Sequence, residues 1–316
     1  MAELPSLKRP ESPRMRKFLR PVDVITIMYL GAVIFISTTI LGRQPGIWRQ
    51  LLYYTAGVFA LLLFLWRTRR TQNRAMLFLR SWYPLLLFGV FYRDTQSFHA
   101  FLLGMGPFDP LLAEADQFIF GFQPSLFFSE TYGGIAVDEI FCAGYFFYYI
   151  LFPILALKLY FKRRRNQFAL FLFTVAFSFY CYYLIFICVP SGGPTFFPNP
   201  AHGIPGDGTT LAGVEGLFFY EILKVILHTS EVGTGAFPSS HVGAGLVAML
   251  FAFRFERKLF WIFLAPALLL MCATVYLREH YFIDVPAGLV TGAVFYSLGV
   301  RLKFVLDRRL GFPKNY

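Results

Sequence analysis

Apolar segments long enough to cross a lipid bilayer recur along the whole chain of 316 residues. A transmembrane helix requires about 20 predominantly apolar residues. The composition agrees, with 57% hydrophobic and only 15% charged residues, values that soluble domains of this length rarely reach. The apolar runs predict eight spans, at residues 24–42, 51–66, 77–92, 139–161, 168–189, 241–254, 259–277 and 284–302. We therefore expect an all-α, polytopic integral membrane helix bundle.

Basic residues are concentrated in the connections that follow alternate spans. "RTRRTQNR" (67–74), "KRRR" (162–165) and "RFERK" (254–258) are three such connections, and a fourth cluster begins at Arg301. Lysine and arginine favour the cytoplasmic side of a membrane, so both termini are predicted to be cytoplasmic. The net charge of +11 then reflects membrane topology, and no basic face for nucleic acid is indicated.

The sequence predicts one membrane catalytic domain (23–306) between a basic cytoplasmic tail (1–22) and a second cytoplasmic tail (307–316). Two long loops, 93–138 and 190–240, contain few lysines and arginines. The positive-inside rule places them on the outward side, facing the periplasm, the exterior or an organelle lumen.

Two further segments differ from ordinary spans. The third predicted span is short and contains Arg80 and Pro84, so we expect it to be partly interfacial. The segment "VEGLFFYEILKVILH" (214–228) predicts an amphipathic helix that lies on the membrane surface. The four cysteines fall inside apolar runs, which indicates neither a disulfide framework nor a zinc site. No metal and no cofactor are expected.

The stretch "GAFPSSHVG" leads directly into the span at 241–254. Ser239 or Ser240 is a suitable helix cap, and His241 falls in the first turn. A helix N-terminus offers unpaired N–H groups and partial positive charge, which suit a phosphate. The alternative is that the serines only cap the helix and His241 lies in the headgroup layer.

The stretch "YLREHYFIDVPAG" (276–288) places Arg278, His280 and Asp284 close together near the last span. His280 and Asp284 are four residues apart, a spacing that permits contact across one helical turn. A carboxylate beside a neutral imidazole fixes its tautomer and raises its basicity, as a nucleophile or base requires. Arg278 supplies a permanent cation for an anionic substrate. A solvated turn, with Asp284 as a helix cap, is the simpler interpretation.

Topology favours the catalytic interpretation. A short inner connection joins the spans at 241–254 and 259–277, so these helices must be antiparallel neighbours. His241 and the turn after the second of these spans are then expected at the same outward depth. Two histidines, a carboxylate, an arginine and a helix N-terminus would meet at the membrane edge.

These residues resemble the motifs of the type 2 phosphatidic acid phosphatase superfamily. "FPSSH" resembles the family's P-S-G-H motif, with Ser240 in place of glycine, and "HYFID" resembles its H-x-x-x-D motif. "GAFPSSHVG", "EHYFIDV", "DQFIFGFQPS" (116–125) and "YFFYY" (145–149) together resemble the inositol phosphorylceramide synthase branch. The resemblance covers roughly residues 110–300.

The resemblance implies a role for each motif residue. His280 would be the nucleophile that forms a phosphohistidine, Asp284 would orient it, and His241 would protonate the leaving oxygen. Ser239 and nearby N–H groups would hold the phosphoryl oxygens, with Ser240 on the headgroup side. The implied substrate is a phospholipid or sphingolipid.

Two family features are missing. The superfamily's first motif supplies a lysine and an arginine to the phosphate, but "VPSGGPTFF" (189–197) contains neither. The Ser-Arg pair of its third motif is replaced by Ala273 and Thr274, which leaves Arg278 as the candidate substitute. A phosphodiester needs fewer cations than a phosphomonoester. The departures therefore favour headgroup transfer over lipid phosphate or prenyl pyrophosphate hydrolysis.

Other functions remain open at this stage. A transporter or membrane scaffold would fit the spans, although the ionisable residues gather at one face only. A serine hydrolase using Ser240, His280 and Asp284 would lack the usual G-x-S-x-G turn. A metal could bind His241, His280 and Asp284. His99 and Asp116 are expected in a loop, where Asp116 could shape the headgroup pocket, and two further histidines, His202 and His228, are expected to be interfacial.

Overall fold

The computed structural model describes residues 18–42, 46–102, 108–206, 208–230 and 233–312, the side chains of 99–102 and 230 excepted. This part of the chain contains twelve α-helices and no β-strand, which confirms the predicted all-α fold. In chain order the helices are α1 (Pro21–Thr39), α2 (Ile47–Thr68), α3 (Arg74–Leu102), α4 (Asp109–Phe120), α5 (Pro124–Tyr132), α6 (Ile135–Phe161), α7 (Arg165–Cys188), α8 (Gly193–Phe196), α9 (Phe218–Ser230), α10 (Ser240–Phe255), α11 (Arg257–Tyr276) and α12 (Asp284–Leu310). Most of the predicted N-terminal tail lies outside the described residues.

Among the described residues, seven helices are long and apolar enough to cross a membrane: α1, α2, α3, α6, α7, α11 and α12. They correspond to seven of the eight predicted spans. The eighth is α10, an apolar helix of only 16 residues. At 1.5 Å per residue it is about 24 Å long, whereas the hydrocarbon core is about 30 Å thick. Helix α10 packs against four other helices, α6, α7, α11 and α12. It is therefore in contact with protein where a longer span would be in contact with lipid.

The sequence predicted a short third span, but the structure contains a long helix there. α3 has 29 residues and continues into the predicted outer loop. Its Arg80 side chain is 1% exposed and donates hydrogen bonds to Phe18 O (2.6 Å), Leu65 O (3.2 Å) and Thr68 Oγ1 (3.2 Å). The carboxylate of Asp23 lies 3.7 Å from the same guanidinium. An arginine with these partners can remain inside a membrane helix.

The two predicted outer loops contain helices of their own. α4 and α5 occupy much of the first loop, and α9 confirms the amphipathic helix predicted in the second. The Glu139 carboxylate fixes the start of α9, because it accepts hydrogen bonds from the N–H groups of Leu217 (2.8 Å), Phe219 (2.6 Å) and Tyr220 (3.2 Å). An acidic group is favourable at this position, where the helix carries partial positive charge.

The connections α6–α7 and α10–α11 meet at one end of the bundle. Glu256, between α10 and α11, forms ion pairs with Lys158 (3.3 Å), Lys162 (2.9 Å) and Arg164 (3.1 Å). Two of the basic clusters that define the predicted cytoplasmic side therefore lie together. Helices α10 and α11 consequently run back from this end toward the two histidine motifs.

Helices α10 and α12 approach each other through glycine. A Cβ atom added to Gly292 would lie 2.5 Å from Gly243 O, and one added to Gly288 would lie 2.6 Å from Ser239 O. Small residues four apart allow two membrane helices to bring their backbones into contact. At the start of α12 the Asp284 carbonyl accepts the Ser239 N–H (3.2 Å). This close packing sets the relative position of the residues at the two N-termini.

The orientation of the bundle in the membrane can be tested by cysteine labelling. In a background with the exposed Cys188 and Cys272 changed to serine, Ala201→Cys should react with an impermeant maleimide from outside intact cells. Arg165→Cys should react only after the membrane is opened. Both positions are exposed on the protein, so access depends on the side of the membrane. The reverse labelling pattern would overturn the predicted topology.

The glycine contact can be tested with a single added methyl group. Gly292→Ala would push Cβ against the backbone of Gly243, which cannot move as a side chain can. We expect a loss of about 1–3 kcal/mol of stability, measured as a lower unfolding temperature in detergent. Gly245→Ala is the matched control, because its Cβ would meet only Leu270 at an ordinary 3.7 Å. Equal stability of the two variants would contradict the proposed packing.

Candidate active site

Ser239 ends the segment that precedes α10 and is the N-cap of that helix. Its Oγ accepts a hydrogen bond from Val242 N–H (3.4 Å) and lies 3.2 Å from His280 Nε2. One hydroxyl can make both contacts, because it has one donor and two acceptor sites. Ser239 is therefore both the predicted cap and a neighbour of the imidazole.

His280 lies in the turn between α11 and α12. Its N–H donates to Thr274 O (3.0 Å), and its Nδ1 lies 3.2 Å from Asp284 Oδ2. The same oxygen accepts the N–H of Tyr281 (3.0 Å). His280 and Asp284 are 2% and 0% exposed, so the turn is not solvated. Asp284 is the first residue of α12, and the N-cap of this helix is Ile283. The interpretation of Asp284 as the cap was therefore wrong.

The two histidines are in direct contact, as the topology predicted. His241 Nδ1 lies 3.3 Å from His280 Nε2. On the other side of the His241 ring, the Tyr145 hydroxyl lies 3.1 Å from Nε2. The side chains of Asp284, His280, His241 and Tyr145 thus form one continuous line of polar contacts.

The line of contacts fixes the tautomer of His280. A carboxylate only accepts hydrogen bonds, so the Asp284 contact requires a hydrogen on Nδ1 of His280. Nε2 then carries the lone pair, and it faces Ser239 and His241. An imidazole in this state can act as a nucleophile or as a base through Nε2.

A cavity that is partly open to solvent lies beside the two histidines, with a volume of about 440 Å³ when the open part is included. Its polar lining consists of hydroxyl groups, imidazoles and one carboxylate, from Tyr92, Tyr145, Tyr149, Thr234, His241, His280 and Glu279. No lysine or arginine among the described residues lines it. The sequence patterns did not single out Tyr145, which lay in a Tyr-rich run without any feature that distinguished it from its neighbours.

Arg278 and Ser240 lie apart from this lining. The Arg278 guanidinium donates to Ser129 Oγ (3.0 Å) and pairs with Glu130 (3.2 Å), both in α5. Ser240 is buried beside Tyr148. In this structure Arg278 therefore has partners other than the histidines, and its assignment to the substrate phosphate stays a prediction.

Asp116 lies in helix α4 and not in a loop, which corrects the sequence interpretation. Its carboxylate accepts hydrogen bonds from Phe282 N–H (2.7 Å) and Ile283 N–H (3.0 Å). These two residues lie between His280 and Asp284. Asp116 thus holds the main chain of the turn that carries the imidazole. His99 likewise lies in a helix, α3, and not in a loop, and its side chain lies outside the described residues. His202 and His228, in the second of the predicted outer loops, are not among the lining residues.

Asp109 holds a second segment in the same way, although no sequence pattern distinguished this residue from an ordinary helix start. Its carboxylate accepts Gly192 N–H (3.0 Å) and Gly193 N–H (2.8 Å). This segment packs on the histidine turn, where Thr195 N–H donates to Arg278 O (3.1 Å).

Burial raises the pKa of Asp109 to about 6, although the N–H groups of Gly192 and Gly193 partly oppose this. A carboxyl with a raised pKa binds its proton more tightly in the folded state than in the unfolded state. Its contribution to stability therefore falls as pH rises from about 4 to about 6. The folded state therefore stabilises the protonated form of Asp109 over the ionised form by about 3 kcal/mol more than the unfolded state does.

Asp109→Asn should separate stability from activity. Without the titrating carboxyl, the variant should lose less stability than the unaltered protein as pH rises through this window, measured as unfolding temperature in detergent. Its activity should fall about tenfold or more, because displaced main chain near a reacting centre is costly. Glu114→Gln on the exposed face of α4 is the control. Identical pH slopes for the variant and the unaltered protein would contradict the assignment.

Comparison with known proteins places these elements in a family. The model of the PAP2 superfamily matches residues 111–298, which include α5 to α11 and both histidine motifs. The inositol phosphorylceramide synthase catalytic subunit of Saccharomyces cerevisiae is 38% identical over 96 residues, 30% of this chain and 23% of that protein. The corresponding subunit of Schizosaccharomyces pombe is 28% identical over 102 residues, 32% of this chain and 24% of that protein.

The matched region thus spans about a quarter of the length of either relative. No solved structure gives a significant match. The family model, however, covers more than half of the chain and contains the segments that bear the two histidines and the carboxylate. This chain belongs to the PAP2 superfamily, the type 2 phosphatidic acid phosphatases and their relatives.

Proposed function

We propose that this chain is a membrane-embedded lipid phosphotransferase that moves a phospho-headgroup from one lipid to another through a phosphohistidine on His280. The observation that carries the proposal is the line of contacts from Asp284 through His280 to His241. It ends at the N-terminus of a helix, where N–H groups and the helix dipole favour a phosphate. Membership of the PAP2 superfamily, together with this geometry, supports phosphoryl chemistry over transport.

In the first half-reaction, the lone pair of His280 Nε2 forms a bond to phosphorus. The bond from phosphorus to the oxygen of the donor lipid breaks, and His241 gives its N–H proton to that oxygen, which leaves the His241 ring anionic beside the positively charged His280 ring until the acceptor returns a proton. Asp284 stabilises the positive charge that develops on the His280 ring. Ser239 and the first N–H groups of α10 are positioned to stabilise charge on the phosphoryl oxygens.

In the second half-reaction, a hydroxyl group of the acceptor lipid replaces the leaving alcohol. His241 takes the hydroxyl proton, the acceptor oxygen bonds to phosphorus, and the bond between phosphorus and His280 breaks. Both histidines return to their starting states, and no cofactor or metal is consumed. The covalent intermediate carries the headgroup together with the phosphoryl group.

The charge of the cavity supports a phosphodiester donor. A phosphodiester carries one negative charge, whereas a phosphomonoester approaches two at neutral pH. Among the described residues the cavity contains Glu279 and no lysine or arginine, so a second negative charge would lack a permanent countercharge. The names of the relatives support an inositol-phosphate headgroup and a ceramide acceptor. By the same proposal the site faces outward.

The donor and acceptor can be tested with purified protein in detergent or vesicles. Phosphatidylinositol, phosphatidic acid and a prenyl pyrophosphate are offered as donors, each with and without ceramide or diacylglycerol. We expect headgroup transfer from phosphatidylinositol that depends on the acceptor and persists with EDTA. Rapid phosphate release from the other two donors without acceptor dependence would identify a phosphatase instead.

Variants test the mechanism independently of the lipid. His280→Ala should abolish transfer and the phosphorylated His280 peptide in mass spectra. His241→Ala should lower turnover about 10²–10⁴-fold, the usual contribution of general acid catalysis, and Asp284→Asn should also be severely impaired. His228→Ala, an exposed histidine of α9, is the matched control. Turnover near the unaltered level in His280→Ala would exclude the covalent mechanism.

A further inference from the structure

The Tyr145 hydroxyl occupies the end of the polar line that begins at Asp284. It lies 3.1 Å from His241 Nε2, and Tyr145 lines the cavity although its side chain is only 2% exposed. The Tyr145 ring also packs against the His241 ring, with 4.8 Å between their centroids. No motif assigns a role to this residue.

The hydrogens along the line can be assigned one contact at a time. His280 Nδ1–H donates to Asp284, so His280 Nε2 is an acceptor. The His241 atom that faces it is Nδ1, at 3.3 Å. Two lone pairs at this distance would repel each other, so Nδ1 of a neutral His241 must carry the hydrogen. His241 Nε2 is then an acceptor and needs a donor, and the nearby hydroxyl of Tyr145 provides one.

All donors along the line therefore point in the same direction, from Tyr145 toward Asp284. We propose that Tyr145 is a positioning residue that holds His241 in the Nδ1–H tautomer, so that its acidic proton is directed at the reacting phosphoryl group. This rests on the proposed function of His241 as the acid and base of the transfer. In the opposite tautomer, His241 would present a lone pair to the substrate and could not protonate the leaving oxygen.

The effect of Tyr145 on the tautomer balance of His241 is expected to equal the free energy of one neutral hydrogen bond. Such a bond contributes about 0.5–1.5 kcal/mol, which corresponds to a change of roughly 2- to 13-fold in the balance between the tautomers. Tyr145→Phe removes this bond and retains the ring that packs on His241. The variant should therefore fold normally and bind its donor lipid as before.

Activity on two donors separates tautomer control from a structural role. With a lipid phosphodiester, whose alkoxide leaving group needs a proton, Tyr145→Phe should lower kcat about tenfold and leave KM unchanged. With a donor whose leaving group is 4-nitrophenolate, kcat should change less than twofold, because this group leaves without a proton. Tyr183→Phe, which removes a buried hydroxyl bonded to Phe88 O (3.0 Å), is the matched control. Equal losses on both donors, or no loss on the lipid, would refute the proposal.

Nitrogen-15 NMR of labelled histidine gives a second readout that does not require turnover. The His241 signals, assigned by their loss in His241→Gln, should indicate a hydrogen on Nδ1 in the unaltered protein and in Tyr183→Phe. Tyr145→Phe should shift them toward the Nε2–H form. A hydrogen on Nε2 in the unaltered protein would contradict the tautomer assignment. Absence of turnover with every donor would instead contradict the proposed function, and the tautomer would still be measurable.

Discussion

The site depends on the contact between the backbones of α10 and α12. The glycines at Gly243, Gly288 and Gly292 remove the side chains that would otherwise separate these helices. Because both helices begin at the same level, the residues at their N-termini are brought within hydrogen-bonding distance. Asp284 belongs to one helix, His241 belongs to the other, and the imidazole between them comes from the turn that joins α11 to α12. A wider spacing would break the contact between the histidines.

Carboxylates organise the end of the protein that bears the two histidines. Asp109 and Asp116 hold main-chain N–H groups of two different segments, and Glu139 holds the start of α9. Each carboxylate satisfies donors that would otherwise be left unpaired at a helix end or a turn. Main-chain segments near the histidines are therefore held by carboxylates, and among the described residues the cavity lining contains no lysine or arginine.

The helical fold was predictable because a bilayer imposes its thickness on the length of apolar runs, and seven of the eight predicted spans have that length. His241, His280 and Asp284 were found because their spacing relates them within a turn or across one short connection. Asp109 and Tyr145 could not be found this way, since their partners lie far away in sequence and neither stands in a distinctive pattern. The direction of the Arg278 side chain could not be predicted from the sequence either, because it depends on Ser129 and Glu130 of a separate helix.

The buried guanidinium of Arg80 has a consequence for how the first three helices assemble. Three acceptors described above are Phe18 O, just before α1, and Leu65 O and Thr68 Oγ1, near the end of α2, so all three belong to the segments of α1 and α2. An arginine inside a membrane costs about 2.5–3.5 kcal/mol when it has no such partners. Insertion of α3 into lipid is therefore thermodynamically coupled to the presence of α1 and α2. None of the three helices reaches its lowest free energy until the other two are beside it.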